Sequence, residues 1–240
     1  MTRAGQPLAD AFSSSASKQR YVRRLFSTIA DRYDLITVLL SFGLDRRWKK
    51  RAIDLAEIRP SDRALDLACG TGDLAFAAAS NGASVVGLDV TFRMVELALS
   101  KKAARDAAFI VGDMGCLPFP DAAFDVITTG YGLRNVPDLA AAVREACRVL
   151  RPGGRFVSLD FNRPASRVVR TVYLGYLRVV GSALGWLLHR DPDTYRYIPE
   201  SIRRYPGAPA VADLMRREGF ADAEWRPVLG GLMAIHLARK

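Results

Sequence analysis

Residues that hold metal ions or form disulfides are scarce in this 240-residue chain, which has three cysteines and two histidines. Cys69, Cys116 and Cys147 are odd in number and scattered, and His189 and His236 are far apart in the sequence. Neither set has the spacing of a metal site. The pattern predicts a reducing compartment, no disulfide framework and no bound metal.

Long uncharged stretches are also lacking. The chain has no run of about 18 uncharged apolar residues, so we predict that no helix crosses a membrane. Residues 1–17 have no apolar segment of the secretory type, and they are rich in Ser and Ala. We expect this N-terminus to be poorly ordered and the protein to be cytoplasmic.

The charge balance is unusual for a chain of otherwise ordinary composition. Hydrophobic residues make up 50% of it and charged residues 25%, as in a typical globular domain. The formal net charge of +10 favours an anionic partner, either nucleic acid or an anionic membrane surface. A solvated basic surface without a partner is the alternative. The length suits one domain with an N-terminal extension.

One stretch organises the rest of the chain. It has the order strand, glycine turn, helix, strand and acid, at residues 64–67, Gly70-Thr71-Gly72, residues 73–81, residues 85–88 and Asp89. This order begins a nucleotide-binding α/β sheet. Glycine at the turn permits positive φ and close approach of a ligand to the backbone. An acid at the end of the second strand can accept hydrogen bonds from ribose hydroxyls.

The identity of the nucleotide depends on the acids around this turn. With Ala75, the glycine turn formally satisfies the dinucleotide fingerprint. Against a dinucleotide, Asp66 lies inside the first strand, and no partner for a pyrophosphate is evident. Asp113 follows a third apolar stretch. Aspartates associated with three successive strands suit a ligand with an adenine, a ribose and an amino-acid end, which describes S-adenosylmethionine (SAM).

The remaining chain predicts an α/β three-layer sandwich with a mostly parallel sheet. Residues 18–60 have helical periodicity and could cover the ligand, and residues 61–240 form the ligand-binding domain. We expect five alternating β/α units, with a rigid loop at Pro118 and Pro120, and a terminal hairpin at Gly230-Gly231.

An insertion at about residues 163–205 follows the fifth strand. It contains a basic amphipathic helix with one arginine face and one apolar face, formed by Arg163, Arg167, Arg170 and Arg178 and by Val168, Val169, Val172, Tyr176 and Val179. The arginine face could lie on anionic lipid headgroups. The alternative is a helix whose apolar face packs on its own domain.

Four blocks then link the chain to a known family. They are residues 33–48, residues 148–156, Gly132-Leu133-Arg134-Asn135-Val136 and Tyr195-x-Tyr197-Ile198-x-Glu200-Ser201-Ile202. Over residues 20–238 the chain resembles the class I SAM-dependent methyltransferases. More narrowly, it resembles the ubiquinone/menaquinone biosynthesis C-methyltransferases. The resemblance implies a Rossmann-like fold with a seven-stranded sheet ending in an antiparallel hairpin.

Five positions depart from that family's pattern. Thr37 and Asp45 stand where the family usually has Asn and His, and Asp160 and Asn162 replace Glu and Ser. Gly130 lies where many members have a Ser that contacts the cofactor. None of these differences removes the glycine turn.

The resemblance also implies site residues. Thr71 would lie at the glycine turn, Asp89 at the ribose, and Asp113 with Met114 around the adenine. The full predicted cofactor set is Asp66, Gly70, Thr71, Gly72, Asp89, Asp113, Met114 and Gly130. The predicted catalytic residues are Tyr33, Arg134 and Asn135, which could deprotonate, stabilise or orient a ring hydroxyl. A surface salt bridge for Arg134 and plain helix packing for Tyr33 remain alternatives.

The activity implied is C-methylation of a prenylated quinol. We favour the step from demethylmenaquinol to menaquinol and leave a benzoquinol substrate open. The implied setting is the cytoplasm, at the inner face of an anionic membrane, with no nucleic-acid partner and with a homodimer left open. Methylation of RNA or of another small molecule, and a non-catalytic SAM-binding role, are the alternatives.

Overall fold

In the computed structural model, which describes residues 8–101 and 107–240, a seven-stranded sheet lies at the centre of the fold. Its strands are β1 Arg63–Leu67, β2 Ser84–Asp89, β3 Ala107–Val111, β4 Phe124–Gly130, β5 Leu150–Phe161, β6 Asp222–Val228 and β7 Met233–Arg239. The strand order is β3-β2-β1-β4-β5-β7-β6. All neighbours are parallel except β7, which is antiparallel to both β5 and β6.

The strand order positions the ligand crevice. From β1 the chain winds outward to β2 and β3, and it then returns to place β4 on the other side of β1. This reversal leaves a crevice beyond the carboxyl ends of β1 and β4, where open α/β sheets bind ligands. The predicted fold class is confirmed, including the terminal hairpin.

Helices cover both faces of the sheet. They are α1 Leu8–Ala11, α2 Ser15–Ile29, α3 Tyr33–Leu40, α4 Asp45–Leu55, α5 Asp73–Ser80, α6 Phe92–Ser100, α7 Leu139–Val149, α8 Arg167–His189, α9 Tyr197–Arg204 and α10 Ala208–Arg217. Successive strand residues point to opposite faces. Leu65 therefore packs with α7 and α10, whereas Ala64 packs with α4 and α5. These two apolar cores make the predicted three-layer sandwich.

The structure differs from the prediction at several boundaries. The sequence predicts a helix from Asp45 to Ile58, whereas α4 ends at Leu55. It also predicts that the helix after Thr91 ends near residue 105; α6 is described to Ser100, and that predicted end lies outside the described residues. Between β3 and β4 the expected loop at Pro118 and Pro120 joins the strands without a helix, so the expected β/α alternation is interrupted there. Proline lacks the amide hydrogen that a helix interior needs.

The N-terminal segment is helical from residue 8 onward, whereas residues 1–7 lie outside the described part of the chain. The Ser14 side chain caps α2 by accepting a hydrogen bond from the Ser17 amide at 3.1 Å. Phe12 stacks on Tyr197 with 5.8 Å between ring centroids, and Ala11 is fully buried. The order of residues 8–17 therefore comes from a helix cap and from packing against α9.

Helix α8 packs through a face other than the apolar face that the alternative interpretation placed against the domain. Its buried residues are Tyr173, Leu177, Gly181 and Gly185, spaced four apart. The predicted apolar face is largely in solvent, since Val172 is 67% exposed and Val179 is 70% exposed. Only Arg178 interrupts its apolar run, and by length and composition alone α8 could cross a membrane.

Candidate active site

The glycine turn after β1 adopts the backbone conformation that its sequence predicts. Gly70 has a φ of +53° and Gly72 a φ of +90°, in the left-handed region that favours glycine. A Cβ on Gly72 would meet the Phe76 ring at 2.8 Å, so packing also excludes a side chain. A Cβ on Gly70 would meet only Tyr33, at 3.8 Å. The open space beside Gly70 faces the crevice.

Asp89 ends β2 beside this turn. Its carboxylate accepts hydrogen bonds from the Gly70 amide at 2.9 Å and from the Thr91 amide at 2.8 Å. Burial raises the pKa of Asp89, and these amide hydrogen bonds act in the opposite direction. The two amides fix the orientation of the carboxylate, which keeps further lone pairs for a ligand.

Asp113 and Met114 lie in the loop after β3. One carboxylate oxygen of Asp113 accepts a hydrogen bond from the Gly115 amide at 2.8 Å. The other accepts one from the Gln19 side-chain amide of α2 at 2.5 Å. Met114 is buried next to it. The loop therefore presents a carboxylate and an apolar thioether side by side.

These residues surround a cavity of about 80 Å³, which we call the cofactor cavity. Its wall contains five residues of the predicted cofactor set: Gly70, Asp89, Asp113, Met114 and Gly130. The opposite wall is formed by Gln19, Val22, Phe26 and Tyr33 of α2 and α3. Two carboxylates between apolar side chains match the hydroxyl and amino donors and the flat ring of an adenosine group, so the residues fit SAM.

Three other predicted cofactor residues lie behind this wall. Asp66 is 1% exposed and accepts a hydrogen bond from the Thr128 hydroxyl at 2.8 Å. Burial raises its pKa to about 7, against the effects of hydrogen bonds from Thr128 and from the Ala75 backbone. The Thr71 hydroxyl donates to Asp34 of α3 at 2.6 Å. Together with Gly72, these residues support the turn.

A larger cavity of about 610 Å³, which we call the acceptor cavity, adjoins the cofactor cavity. Three aromatic residues, Phe26, Tyr33 and Tyr131, line both. Aliphatic and aromatic side chains from α2, α3, α8 and the segment before α9 dominate its wall. Among the described residues, Arg134 is the single charged residue that lines it.

Arg134 is buried, so the alternative of a surface salt bridge is wrong. Its side chain is 4% exposed, and its guanidinium Nη1 lies 3.7 Å from Asp160 Oδ1 and 3.4 Å from Asn135 Oδ1. The guanidinium also lies over the Phe161 ring, 4.9 Å from the centroid. Its Nε has no hydrogen-bond partner within residues 8–101 and 107–240. A buried donor is thus left free beside the acceptor cavity.

The other two predicted catalytic residues also line the cavities. Asn135 lines the cofactor cavity and donates to the Tyr131 carbonyl at 2.7 Å. Tyr33 lines both cavities. Burial raises the pKa of Tyr33 to about 12, with a further rise from Asp45 and an opposing effect of Lys49. Tyr33 is therefore a neutral phenol at physiological pH, suited to donate a hydrogen bond and poorly suited to remove a proton.

The structure adds two residues that the sequence analysis did not identify. Tyr131 lies between the cavities, and its position directly before the Gly132–Val136 block is the available signal. Gln19 contacts Asp113 across 94 positions of sequence, and no local pattern indicates that contact.

Comparisons with known proteins agree with this geometry. A family model described as the ubiE/COQ5 methyltransferase family matches residues 14–240. The demethylmenaquinone methyltransferase of Mycolicibacterium vanbaalenii is 40% identical over 219 residues, which cover 91% of this chain and 94% of that protein. The ubiquinone/menaquinone biosynthesis C-methyltransferase UbiE of Francisella philomiragia is 38% identical over 231 residues, covering 93% and 92%.

Solved structures show the same fold. A SAM-dependent methyltransferase from Thermotoga maritima superposes with a TM-score of 0.66 at 19% identity, covering 91% of this chain and 99% of that one. One from Mesorhizobium loti gives a TM-score of 0.59 at 20% identity, covering 82% and 100%. The prediction of SAM as cofactor is confirmed. This chain is a member of the ubiE/COQ5 methyltransferase family.

Proposed function

We propose that this enzyme transfers the methyl group of SAM to a ring carbon of a prenylated quinol, with demethylmenaquinol as the favoured substrate. One observation supports this most strongly: within the described part of the chain, Arg134 is the single charged side chain that lines the apolar acceptor cavity, and this cavity adjoins the cofactor cavity. The names of relatives from Mycolicibacterium and Francisella agree with a quinone substrate.

The cavity's volume and chemistry suit a prenyl tail. At about 610 Å³ it lies within the roughly 300–1,000 Å³ typical of small-molecule sites. Each buried CH₂ of a tail contributes about 0.8 kcal/mol. The tail would lie among side chains such as Leu25, Ile36 and Leu177. The quinol head would then lie at the polar end, beside Arg134.

The cofactor would be held by the residues of the cofactor cavity. Asp89 would accept the ribose hydroxyls, Asp113 the adenine amino group, and Met114 would pack on the adenine face. Each charge-assisted hydrogen bond contributes roughly 1.5–3 kcal/mol. When bound, SAM supplies a methyl group already activated by its sulfonium. The enzyme's own task is to align and activate the ring carbon.

Arg134 is the residue that we propose to stabilise charge on the quinol oxygen. As the ring attacks, the oxygen next to the reacting carbon becomes more acidic and gains phenolate character. A buried guanidinium with a free Nε can donate to that oxygen at little reorganisation cost. Asn135 holds the Tyr131 carbonyl, and it thereby fixes the turn that positions Arg134.

The mouth of the acceptor cavity is suited to a membrane surface. Exposed apolar residues lie there on α8 and at two neighbouring turns: Val168, Val169, Val172, Phe42 and Leu229. Exposed Val179, Trp186 and Leu187 continue the same helix. Arg163, Arg167 and Arg178 are also exposed and could contact anionic headgroups. We propose peripheral binding at the inner face of the membrane, so that the tail enters from the lipid.

The proposal is tested by incubating the enzyme with methyl-labelled SAM and one acceptor at a time. The acceptors are short-chain demethylmenaquinol, a methoxy-prenylbenzoquinol, the same naphthoquinol ring without a tail, and bulk RNA. We expect label in demethylmenaquinol, weaker labelling of the tail-less ring through a raised KM, and none in RNA. Absence of label in both prenylated quinols would overturn the proposed function.

A further inference from the structure

Tyr131 occupies a strained position at the boundary between the two cavities. It follows directly after β4, is 8% exposed, and lines both the cofactor and the acceptor cavity. Its φ of +61° lies in the left-handed region, which bulky side chains rarely adopt. The Tyr131 amide donates to the Leu159 carbonyl at 2.7 Å, and its carbonyl accepts from Asn135 at 2.7 Å. Such strain is retained where a side chain must point in one direction.

The phenol of Tyr131 has a defined acceptor on α4. Its hydroxyl donates to Asp45 Oδ1 at 2.6 Å. Asp45 is 3% exposed, and its second oxygen pairs with Lys49 at 2.7 Å. Lys49 also pairs with Asp73 at 2.8 Å. Lys49 is thus shared by two carboxylates. The buried Asp45 is hydrogen-bonded to the phenol of Tyr131, which lines both cavities.

We propose that Tyr131 is a catalytic residue that takes the proton of the quinol hydroxyl, while it passes its own proton to Asp45. Asp45 is then a positioning residue that acts through Tyr131. The inference rests on the proposed function and deepens it, because it identifies where the hydroxyl proton goes.

The proton transfer balances with methyl transfer. As the ring carbon bonds to the methyl group, the S–CH₃ bond breaks and leaves its electron pair on sulfur. The O–H pair of the quinol becomes the second bond of a carbonyl, its proton moves to Tyr131 Oη, and the proton of Tyr131 moves to Asp45 Oδ1. The methylated carbon then loses its hydrogen to water as the carbonyl oxygen regains a proton through Tyr131. One proton is released in total.

Other groups near the ring are less suited to this role. Arg134 has no lone pair for a proton. The Asp160 carboxylate already accepts hydrogen bonds from the Arg134 amide at 3.0 Å and the Phe161 amide at 2.7 Å. Burial raises the pKa of Tyr131, which disfavours a standing phenolate, so the residue relays a proton as a neutral phenol. A base needs to act only in the transition state, when the hydroxyl is strongly acidic.

The charged and titratable groups facing Tyr131 come from three elements. Asp45 and Lys49 lie on α4, Tyr33 lies on α3, and Asp160 lies at the end of β5. Because the proton passes through this pair, we expect kcat of the intact enzyme to fall at low pH. Removing either member of the pair should abolish this fall of kcat at low pH and leave a rate that rises with hydroxide concentration.

The experiment compares Tyr131→Phe, Asp45→Asn, Asp45→Glu and the control Tyr21→Phe, a tyrosine outside both cavities. For Tyr131→Phe and Asp45→Asn we expect kcat on demethylmenaquinol to fall by about 100-fold, the size of a general-base contribution. The SAM Kd from calorimetry and the quinol KM should stay within about threefold. Asp45→Glu should recover part of kcat and restore the fall of kcat at low pH.

Two results would overturn the relay. One is a Tyr131→Phe enzyme that binds SAM normally and keeps its kcat and its pH profile. The other is a loss of SAM affinity in Tyr131→Phe that matches its loss of kcat, which would make the residue purely structural. A wild-type enzyme without activity on either prenylated quinol would overturn the proposed function and the relay together. An active wild type with an active Tyr131→Phe overturns the relay alone.

Discussion

The Gln19 side chain donates a hydrogen bond to the Asp113 carboxylate at 2.5 Å, and this contact ties helix α2 to the loop after β3. One position earlier, Lys18 donates to the Val136 carbonyl at 2.5 Å. Helix α2 is thus fastened across the cofactor cavity, whose volume of about 80 Å³ is below the roughly 300 Å³ of small-molecule sites. We therefore expect α2 to move outward when the cofactor enters.

Gln19→Glu should loosen helix α2. The substitution places a carboxylate against Asp113, and like charges at hydrogen-bond distance repel. We expect amide hydrogen exchange in residues 19–26 to accelerate about tenfold without ligand. Gln19→Ala loses only one hydrogen bond, worth about 1 kcal/mol, and should give about a fivefold increase. Equal exchange rates in the wild type and both variants would contradict the fastening of α2 through Asp113.

Asp89→Ala should weaken SAM binding. The variant removes the carboxylate that faces the cavity, so we expect the calorimetric Kd to rise by about 10- to 100-fold, equivalent to 1.5–3 kcal/mol. It also removes the acceptor of two amides, Gly70 and Thr91, and should lower the unfolding free energy by about 1–3 kcal/mol. Asp222→Ala, on an exposed residue of β6, is the matched control. An unchanged Kd would exclude Asp89 from the cofactor site.

The cofactor side of the site could be predicted from sequence because its geometry is local. A strand, a tight turn and a helix place Gly70 beside Asp89 without any contribution from distant parts of the chain, and both residues line the cofactor cavity. The role of Asp66 was less predictable. The alternation of side chains along β1 shows which face of the sheet Asp66 occupies. It does not reveal that the partner of Asp66 is Thr128, which lies 62 positions away. The pair formed by Tyr131 and Asp45 spans 86 positions and has no sequence signature.

Helix α8 illustrates a different limit of sequence analysis. Hydropathy selects its valine face as the buried one, yet the helix packs through Gly181 and Gly185. At Gly185 an added Cβ would meet the Asp191 carbonyl oxygen at 2.5 Å, so only glycine permits this approach. Close backbone contact decides which face is buried, and a periodicity of apolar residues does not reveal it.

Arg134→Lys tests whether catalysis needs the geometry of the guanidinium or only its positive charge. Lysine keeps a positive charge near Asp160 but lacks the planar fork and its Nε donor. We expect kcat to fall by about 10- to 100-fold, while the SAM Kd stays within about threefold. Arg134→Ala would leave a buried carboxylate unpaired and should lower the unfolding free energy by about 3–5 kcal/mol. A lysine variant with wild-type kcat would remove Arg134 from the chemistry, and the exposed Arg178→Lys serves as control.

Asp66 should make stability depend on pH in an unusual direction. Its pKa is raised by burial to about 7, whereas an unfolded aspartate has a pKa of about 3.9. Between these values the folded state binds the proton more tightly, so the contribution of Asp66 to the unfolding free energy falls as pH rises and levels off above pH 7. The fall is on the order of 4 kcal/mol at most. Asp66→Asn cannot titrate.

The measurement is urea unfolding of the wild type and Asp66→Asn from about pH 4.5 to pH 8, with Asp222→Asn as an exposed control. We expect the stability of wild type relative to Asp66→Asn to decline across this range. A difference independent of pH would mean that Asp66 is ionised in the folded enzyme throughout.

Charge placed on the exposed face of α8 should abolish membrane binding without harming the chemistry. Val179 and Leu187 are 70% and 68% exposed, and neither lines a cavity described above. Transfer of a valine or leucine side chain out of water is worth about 1.5–3 kcal/mol.

Val179→Asp with Leu187→Asp should therefore weaken sedimentation with phosphatidylglycerol vesicles by at least about 100-fold. Asn81→Asp with Ser84→Asp, at exposed residues near the start of β2, adds the same charge and should have little effect. Activity on a short-chain quinol in solution should match the wild type for both double variants. Equal vesicle binding by the two would mean that net charge, and not the apolar face of α8, determines contact with lipid.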